Sequence, residues 1–192
     1  MVDAATRPWR FLQVRQPHGP YLVLPTSAFL SWGYLPAAIH EVDVIAGDDV
    51  LVVEDDILLM AGLTMSKAFF IWASSVGTVD GGRIRVGAEA VYNTFPFPNL
   101  DPQVRSEIEA GARAVLSARS YFAEGDLDAL YGDPEGMPPQ LVRAHQELDR
   151  AVAASLGLDE EATDEEVLTA LERRHELLSQ NAPPPGRRQR AA

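Results

Sequence analysis

The chain has 192 residues, no cysteine and a formal net charge of −12. The lack of thiols excludes disulfides, thiolate metal sites and cysteine nucleophiles, and no stretch reaches the roughly 20 apolar residues of a membrane helix. Its polar start is unlike a secretory signal, so we expect a cytoplasmic protein with no membrane partner. The charge argues against a free-standing nucleic-acid binder, because lysine and arginine make most phosphate contacts.

The acidic charge is concentrated in the second half of the chain. Residues 1–98 carry 6 basic and 10 acidic side chains, whereas residues 99–180 carry 7 basic and 18 acidic ones. The first half could therefore contact DNA if a basic partner held it there. Alone, we expect the chain to bind DNA weakly at best.

The first half has the pattern of strands separated by turns. Alternating or β-branched runs predict strands at 10–15, 21–24, 42–46, 50–53 and 83–86. The short turn at 47–49 predicts that 42–46 and 50–53 pair in antiparallel orientation. Residues 66–73 contain no glycine or proline, and they predict a helix packed on the sheet. Residues 77–82 form a glycine-rich hinge in this interpretation.

The second half has the pattern of helices. Asp101 followed by Pro102 predicts a helix start, with the helix running to about Ser120. One helical turn is expected at 127–131, and Pro138-Pro139 opens a longer helix that carries His145 on its apolar stripe. Thr163 and Glu166 form a capping box that opens the last helix.

The predicted fold class is therefore α+β. A mixed, mostly antiparallel sheet with a packed helix forms the N-terminal half, residues 1–98, and a small all-α helical domain follows at 99–180. The proline- and arginine-rich residues 181–192 are expected to form a disordered tail.

No catalytic or metal-binding constellation is evident in the sequence. There is no glycine-rich phosphate loop, and the four histidines are scattered without metal-ligand spacing. The acidic pairs at 48–49 and 55–56 lie in turns, where carboxylates usually face water. We therefore expect no metal, no cofactor and no catalytic residue in this chain, which leaves open whether it belongs to an enzyme.

The segment Val91-Tyr92-Asn93-Thr94-Phe95-Pro96-Phe97-Pro98 points to a family. It resembles the signature that closes the target-recognition domain of the MmeI-like type II restriction–modification methyltransferases. Segments at 19–25 and 34–36 are similar to the opening strands of that domain, and segments at 127–131 and 137–152 resemble the family's final helical domain. The resemblance thus covers nearly the whole chain.

This resemblance implies a function in DNA modification. Family members are long chains in which an endonuclease and an adenine-N6 methyltransferase, which uses S-adenosylmethionine, precede the recognition part. Their NPPY-type catalytic motif does not occur here. The resemblance therefore implies a recognition region that acts on double-stranded DNA with a separate methyltransferase polypeptide, or a truncated remnant of such an enzyme.

Arg83 and Arg85 are the first candidates for DNA contact. Arg85 falls on a family arginine position, and residues two apart on a strand share a face. Paired arginines can donate to guanine O6 and N7 or grip phosphates; alternatively, they are surface arginines paired with nearby acids. Lys67, the single lysine, is a weaker candidate whose simpler role is solvation of a helix surface.

The signature itself is expected to be structural, because aromatic residues beside prolines at a junction usually serve in packing. This applies to Val91, Tyr92, Asn93, Phe95, Pro96 and Pro98. The loop at 26–33 departs from the family, which commonly has a polar, arginine-containing loop there. Its Phe29, Leu30 and Trp32 fit either core packing or a protein contact. An interaction module derived from the family, without DNA reading, is therefore the alternative function.

Overall fold

The computed structural model describes residues 16–122, 127–133 and 136–181. The predicted α+β fold class is confirmed, since two small antiparallel sheets are followed by a helical half. The predicted strand at 10–15 lies outside the described residues, as does the predicted tail apart from Asn181. The strands are β1 (Tyr21–Pro25), β2 (Ser27–Phe29), β3 (Ala38–His40), β4 (Val50–Val53), β5 (Thr78–Asp80) and β6 (Arg83–Arg85). The helices are α1 (Ile57–Thr64), α2 (Lys67–Val76), α3 (Pro102–Ser120), α4 (Leu127–Tyr131), α5 (Pro139–Ser155) and α6 (Asp164–Asn181).

The first sheet has the strand order β3-β1-β4, with β1 antiparallel to both neighbours. Leu22 and Leu24 of β1 are fully buried in the core, whereas Val23 between them is only half-buried. Side chains alternate between the two faces of a strand. Val23 therefore points to the outer face of this sheet, away from the core.

The predicted strand at 42–46, and its pairing with 50–53, is wrong. Residues 41–49 instead form a crossover loop that runs from the end of β3 to the start of β4. The loop carbonyls are bonded by side chains rather than by a neighbouring strand: Gln16 Nε2 donates to Val42 O (3.2 Å) and Val44 O (2.6 Å), and the Tyr21 hydroxyl donates to Val44 O (2.5 Å). These long-range side-chain contacts override the local β propensity of the segment.

The second sheet has the order β2-β6-β5, so β6 is its central strand. Gly81 and Gly82 connect β5 to β6 with φ values of +54° and +77°. A two-residue hairpin turn with two positive φ angles favours glycine at both positions. The predicted hinge at 77–82 therefore contains a strand and a tight turn, and the predicted strand at 83–86 is confirmed as β6.

Helix α2 confirms the helix predicted at 66–73. Ser66 caps it, because its Oγ accepts a hydrogen bond from the Phe69 backbone N–H (3.3 Å). No single helix among the described residues is long and apolar enough to span a membrane. Helices α1 and α2 reach that length and composition together, but they are bent by 67° and contribute Leu63 and Trp72 to the buried core.

Helix α3 begins as predicted, with Asp101 Oδ1 accepting from the backbone N–H groups of Gln103 (2.9 Å) and Val104 (3.0 Å). The capping box also forms, because the Thr163 N–H donates to Glu166 Oε2 (2.8 Å). Helix α3 packs against α5 on one side and α1 on the other. One continuous buried cluster thus joins residues from both sides of position 98, and the division into 1–98 and 99–180 stays a prediction from the sequence.

Gly62 marks the closest approach of α1 to α3. A Cβ atom at this position would lie 2.6 Å from Ile108 Cγ2 and 2.9 Å from Ile108 O. We expect Gly62→Ala to lower the free energy of unfolding by about 1–3 kcal/mol, because a forced methyl group outweighs the helix propensity gained. Chemical denaturation measures this loss. Gly87→Ala is the matched control, since a Cβ atom on Gly87 would have no neighbour within 4 Å; an equal loss in both variants would contradict the packing.

Candidate nucleic-acid interface

Arg83 and Arg85 lie on the outward face of β6. Both side chains are exposed, whereas Ile84 between them is fully buried. Arg85 is opposite Ser27 of β2 and Thr78 of β5 in the strand register. Residues opposite each other in antiparallel strands share a face. Arg85 is therefore flanked on both sides by hydroxyl-bearing residues.

Arg83 is held over an aromatic ring. Its Cζ lies 3.7 Å from the centroid of the Phe29 ring, which is a cation–π contact. Asp80 is opposite Arg83 in the register, but neither Arg83 nor Arg85 forms an ion pair with a carboxylate of the described residues. Both guanidinium groups therefore keep donors for an external acceptor.

The C-terminal end of α2 packs against the buried face of β6. A Cβ atom on Gly77 would lie 2.5 Å from Ala73 O, 2.8 Å from Ile84 Cγ2 and 3.0 Å from Arg85 O. No side chain fits in this space. The glycine permits the close approach that sets the backbone and the buried Ile84 of β6 directly against the helix.

Lys67 lies elsewhere. It occupies the first position of α2, and a helix of 10 residues separates its two ends by roughly 15 Å. Its Nζ forms an ion pair with Asp164 Oδ2 (3.3 Å), and its backbone N–H donates to Asp149 Oδ1 (2.7 Å). The structure therefore brings Arg83 and Arg85 together but places Lys67 among carboxylates at the far end of the helix.

The signature at 91–98 packs into the core. Phe95 is 3% exposed, and its ring makes edge-on contacts with Phe69 (5.1 Å between centroids) and Phe97 (5.0 Å). Val91 is fully buried at the end of a π-helical turn over 88–92, and Pro96 is buried too. Tyr92 and Pro98 are half-buried, whereas Asn93 is exposed.

Helix α6 contacts the backbone of the signature through two side chains that the sequence analysis did not predict to be part of the site. Arg174 donates to Pro96 O (3.0 Å) and Phe97 O (2.9 Å), and His175 Nδ1 lies 3.0 Å from Thr94 O. The Thr94 hydroxyl in turn accepts from Trp72 Nε1 (3.3 Å). One pattern in the sequence could have indicated this contact. Arg174 and His175 follow the apolar Leu171 by three and four residues, a spacing that places them near the buried face of the helix.

Two family models together match residues 1–182 of the chain. The family model described as "MmeI, target recognition domain" matches residues 1–99, and "MmeI, C-terminal domain" matches residues 100–182. This chain belongs to the MmeI family. It therefore carries the recognition region of a restriction–modification DNA methyltransferase family, as the signature at 91–98 predicts.

Two relatives of this MmeI-family chain are much longer proteins. DNA methyltransferase A of Bacillus subtilis (strain 168) is 29% identical over 167 residues, which cover 87% of this chain and 19% of that protein. A solved structure of the type IIL restriction-modification enzyme MmeI in complex with DNA has a TM-score of 0.84 and 30% identity, over 92% of this chain and 24% of the enzyme. The chain thus spans about a fifth to a quarter of these relatives.

The loop that departs from the MmeI family pattern is only partly packed. Residues 26–33 form β2 and one 3₁₀ turn at Leu30–Trp32. The Trp32 ring lies 5.7 Å from that of Phe29 and 6.4 Å from that of Tyr131, while Leu30 remains 42% exposed. Packing therefore accounts for the aromatic side chains of this loop but not for Leu30.

A buried polar cluster joins the two halves. Asp149 of α5 accepts from the Tyr34 hydroxyl (2.8 Å) and the Lys67 N–H, and burial raises the pKa of its carboxyl to about 6. One turn earlier, the His145 ring stacks on Tyr34 at 3.9 Å, and its Nε2 lies 3.1 Å from the Tyr131 hydroxyl. Among the described residues, no group of three His, Asp or Glu side chains is placed to hold a metal ion.

Proposed function

We propose that this chain reads double-stranded DNA for an adenine-specific restriction–modification methyltransferase, and that the Arg83 and Arg85 face of β6 makes the contact. The observation that carries the proposal is the pair of exposed arginines, free of ion pairs among the described residues, on a strand set rigidly against α2. The similar MmeI enzyme was solved in complex with DNA. Arginine is the side chain best suited to bidentate contact with guanine or phosphate.

Catalysis is proposed to come from a separate methyltransferase polypeptide that holds S-adenosylmethionine, with both polypeptides in the cytoplasm. The net charge of −12 supports a role for a partner polypeptide, because an acidic chain needs a basic partner to remain close to DNA. The proposal predicts that the adjacent upstream reading frame encodes that partner. A purified pair that neither associates nor binds duplex DNA at low salt would refute it.

Arg85→Ala should weaken duplex binding by that complex by about 1–3 kcal/mol, or roughly 5- to 150-fold in Kd, if Arg85 reads a base. Fluorescence anisotropy at several salt concentrations measures the change. If Arg85 contacts a base, its loss should relax the sequence preference at one position of the recognised site. If it contacts a phosphate, its loss should weaken binding to all sequences alike and lower the slope of log Kd against log salt concentration by about one.

Arg173→Ala is the control for this measurement. Arg173 is also exposed, but it lies on the acidic helix α6 and has no hydrogen bond or ion pair with a described residue. We expect its Kd to equal that of the wild type. Equal Kd values for the wild type, Arg85→Ala and Arg173→Ala would show that the β6 face does not contact DNA.

The exposed Leu30 and the acidic helical half favour a second candidate, an interaction module that has lost DNA reading. Under this alternative the chain binds its protein partner without contacting DNA. Arg85→Glu would then leave partner binding and methylation unchanged, whereas the first proposal expects site-specific methylation to be abolished.

A further inference from the structure

Arg83 lies between two possible partners on the outer face of the second sheet. Phe29 of β2 and Asp80 of β5 are both opposite Arg83 in the strand register. Residues opposite each other in antiparallel strands share a face and have Cβ atoms roughly 5 Å apart, so the arginine side chain can reach either neighbour. Its Cζ lies 3.7 Å from the centroid of the Phe29 ring, whereas no ion pair joins Arg83 to Asp80 within the described part of the chain. The guanidinium group is therefore on the β2 side of the strand, over the ring.

The Phe29 ring is supported by backbone and side-chain contacts. The Leu30 backbone N–H donates to Gly82 O (2.9 Å), which extends the hydrogen bonding between β2 and β6 into the hairpin turn beside Arg83. The Phe29 ring makes an edge-on contact with Trp32 (5.7 Å between centroids), and the Trp32 ring lies 6.4 Å from that of the fully buried Tyr131. The half-buried Phe29 ring is thus connected to the core and provides a fixed surface under the exposed guanidinium group.

We propose that Phe29 is a positioning residue for DNA binding, which holds Arg83 over its ring and away from Asp80. A guanidinium group stacked on a ring keeps its in-plane N–H donors for an external acceptor, whereas an ion pair with Asp80 would occupy some of them. A side chain that is already ordered also loses less conformational freedom when it binds. This inference rests on the proposed function, because it assigns to Phe29 the orientation of one of the two arginines that contact DNA there.

A double-mutant cycle between Phe29 and Arg83 tests the positioning role. Fluorescence anisotropy gives the Kd of the complex with the proposed methyltransferase polypeptide for a duplex that carries the sequence methylated by the wild type. We expect Phe29→Leu to raise Kd roughly 2- to 5-fold, the range that corresponds to an exposed cation–π contact. Phe29→Tyr retains an aromatic ring and should keep Kd close to the wild-type value. In the Arg83→Ala background, Phe29→Leu should cause no further change in Kd.

Arg85→Ala provides the matched control background, because Arg85 is opposite Ser27 and Thr78 rather than Phe29. In this background Phe29→Leu should raise Kd by the same factor as in the wild type. An equal effect of Phe29→Leu in the wild type and in both arginine backgrounds would indicate a general structural effect and would overturn the proposal. If Arg83→Ala weakens binding but Phe29→Leu does not, the positioning role alone fails. If neither arginine variant changes Kd, the proposed function fails with it.

A second measurement on the full chain without DNA separates the two claims. NMR of the Arg83 Nε–Hε group reports its order on the fast timescale and the ring-current shift from a neighbouring aromatic ring. We expect an ordered, upfield-shifted signal in the wild type and in Phe29→Tyr, and loss of both features in Phe29→Leu. A signal that has the same shift and order in the wild type and in Phe29→Leu would overturn the positioning role, and would leave DNA binding by β6 unaffected.

Discussion

Phe95→Ala should lower the free energy of unfolding by about 3–5 kcal/mol, the usual cost of emptying a buried phenylalanine site. The ring is 3% exposed and packs edge-on against Phe69 and Phe97. Phe69 belongs to the first turn of α2, so the cavity opens between this helix and the signature. Urea denaturation followed by circular dichroism measures the loss.

Asn93→Ala provides the comparison within the same signature. Asn93 is exposed, and substitutions at such surface positions usually change stability by no more than about 0.5 kcal/mol. If Phe95→Ala and Asn93→Ala have equal, small effects, the buried packing of the signature is incorrect. If Asn93→Ala instead removes DNA binding without loss of stability, the signature has a contact role that its packing does not reveal.

Acidification should destabilise the protein through His145. Burial, helped by the charge of Arg119, lowers the pKa of the imidazole from 6.5 to about 3, and the Met65 backbone only partly opposes this. The folded-state pKa lies below the unfolded one, so the stability contribution is complete above pH 6.5 and is lost as the pH falls from 6.5 towards 3. The full loss is roughly 5 kcal/mol, of which about 2 kcal/mol is expected by pH 5.

His145→Phe tests this dependence, because phenylalanine does not titrate and can retain the stacking on Tyr34. The free energy of unfolding is measured for both proteins between pH 7.5 and pH 5. We expect a constant offset in the variant from the lost Tyr131 hydrogen bond, and a shallower fall in stability with acidification. Parallel pH profiles for the two proteins would show that His145 is not a buried, neutral group.

Asp149→Asn should change the pH profile in the opposite direction. Burial raises the pKa of Asp149 from 3.8 to about 6. Its stability contribution is therefore complete below pH 3.8 and is lost as the pH rises through 6. Removing it should make acid destabilisation steeper than in the wild type, which distinguishes the effect of this carboxyl group from that of His145.

Local signals in the sequence predicted the helices well. The start of α3 depends on the Asp101 cap and that of α6 on the Thr163–Glu166 box, and both act within three residues. The β-rich half was harder to predict, because its pairing is long-range. Residues 42–46 have the composition of a strand, but hydrogen bonds from Gln16 and Tyr21 hold them in a crossover loop instead.

The candidate site was predictable only in part. A period of two placed Arg83 and Arg85 on one face, but no local pattern indicates that Phe29 lies under Arg83 or that Gly77 sets β6 against α2. The ion pair of Lys67 with Asp164 joins residues almost a hundred positions apart. Such contacts follow from the shared core of the two halves rather than from the sequence near each residue.

The claim that the β6 face of this MmeI-family chain reads DNA is tested most directly by Arg85→Glu in complex with the proposed methyltransferase polypeptide. The position and rate of DNA methylation are measured by sequencing modified bases in treated DNA. We expect the wild type and Arg173→Glu to modify one short sequence at equal rates, and Arg85→Glu to lose that modification while its thermal unfolding is unchanged. An Arg85→Glu complex that methylates the same sequence at the wild-type rate would contradict the account.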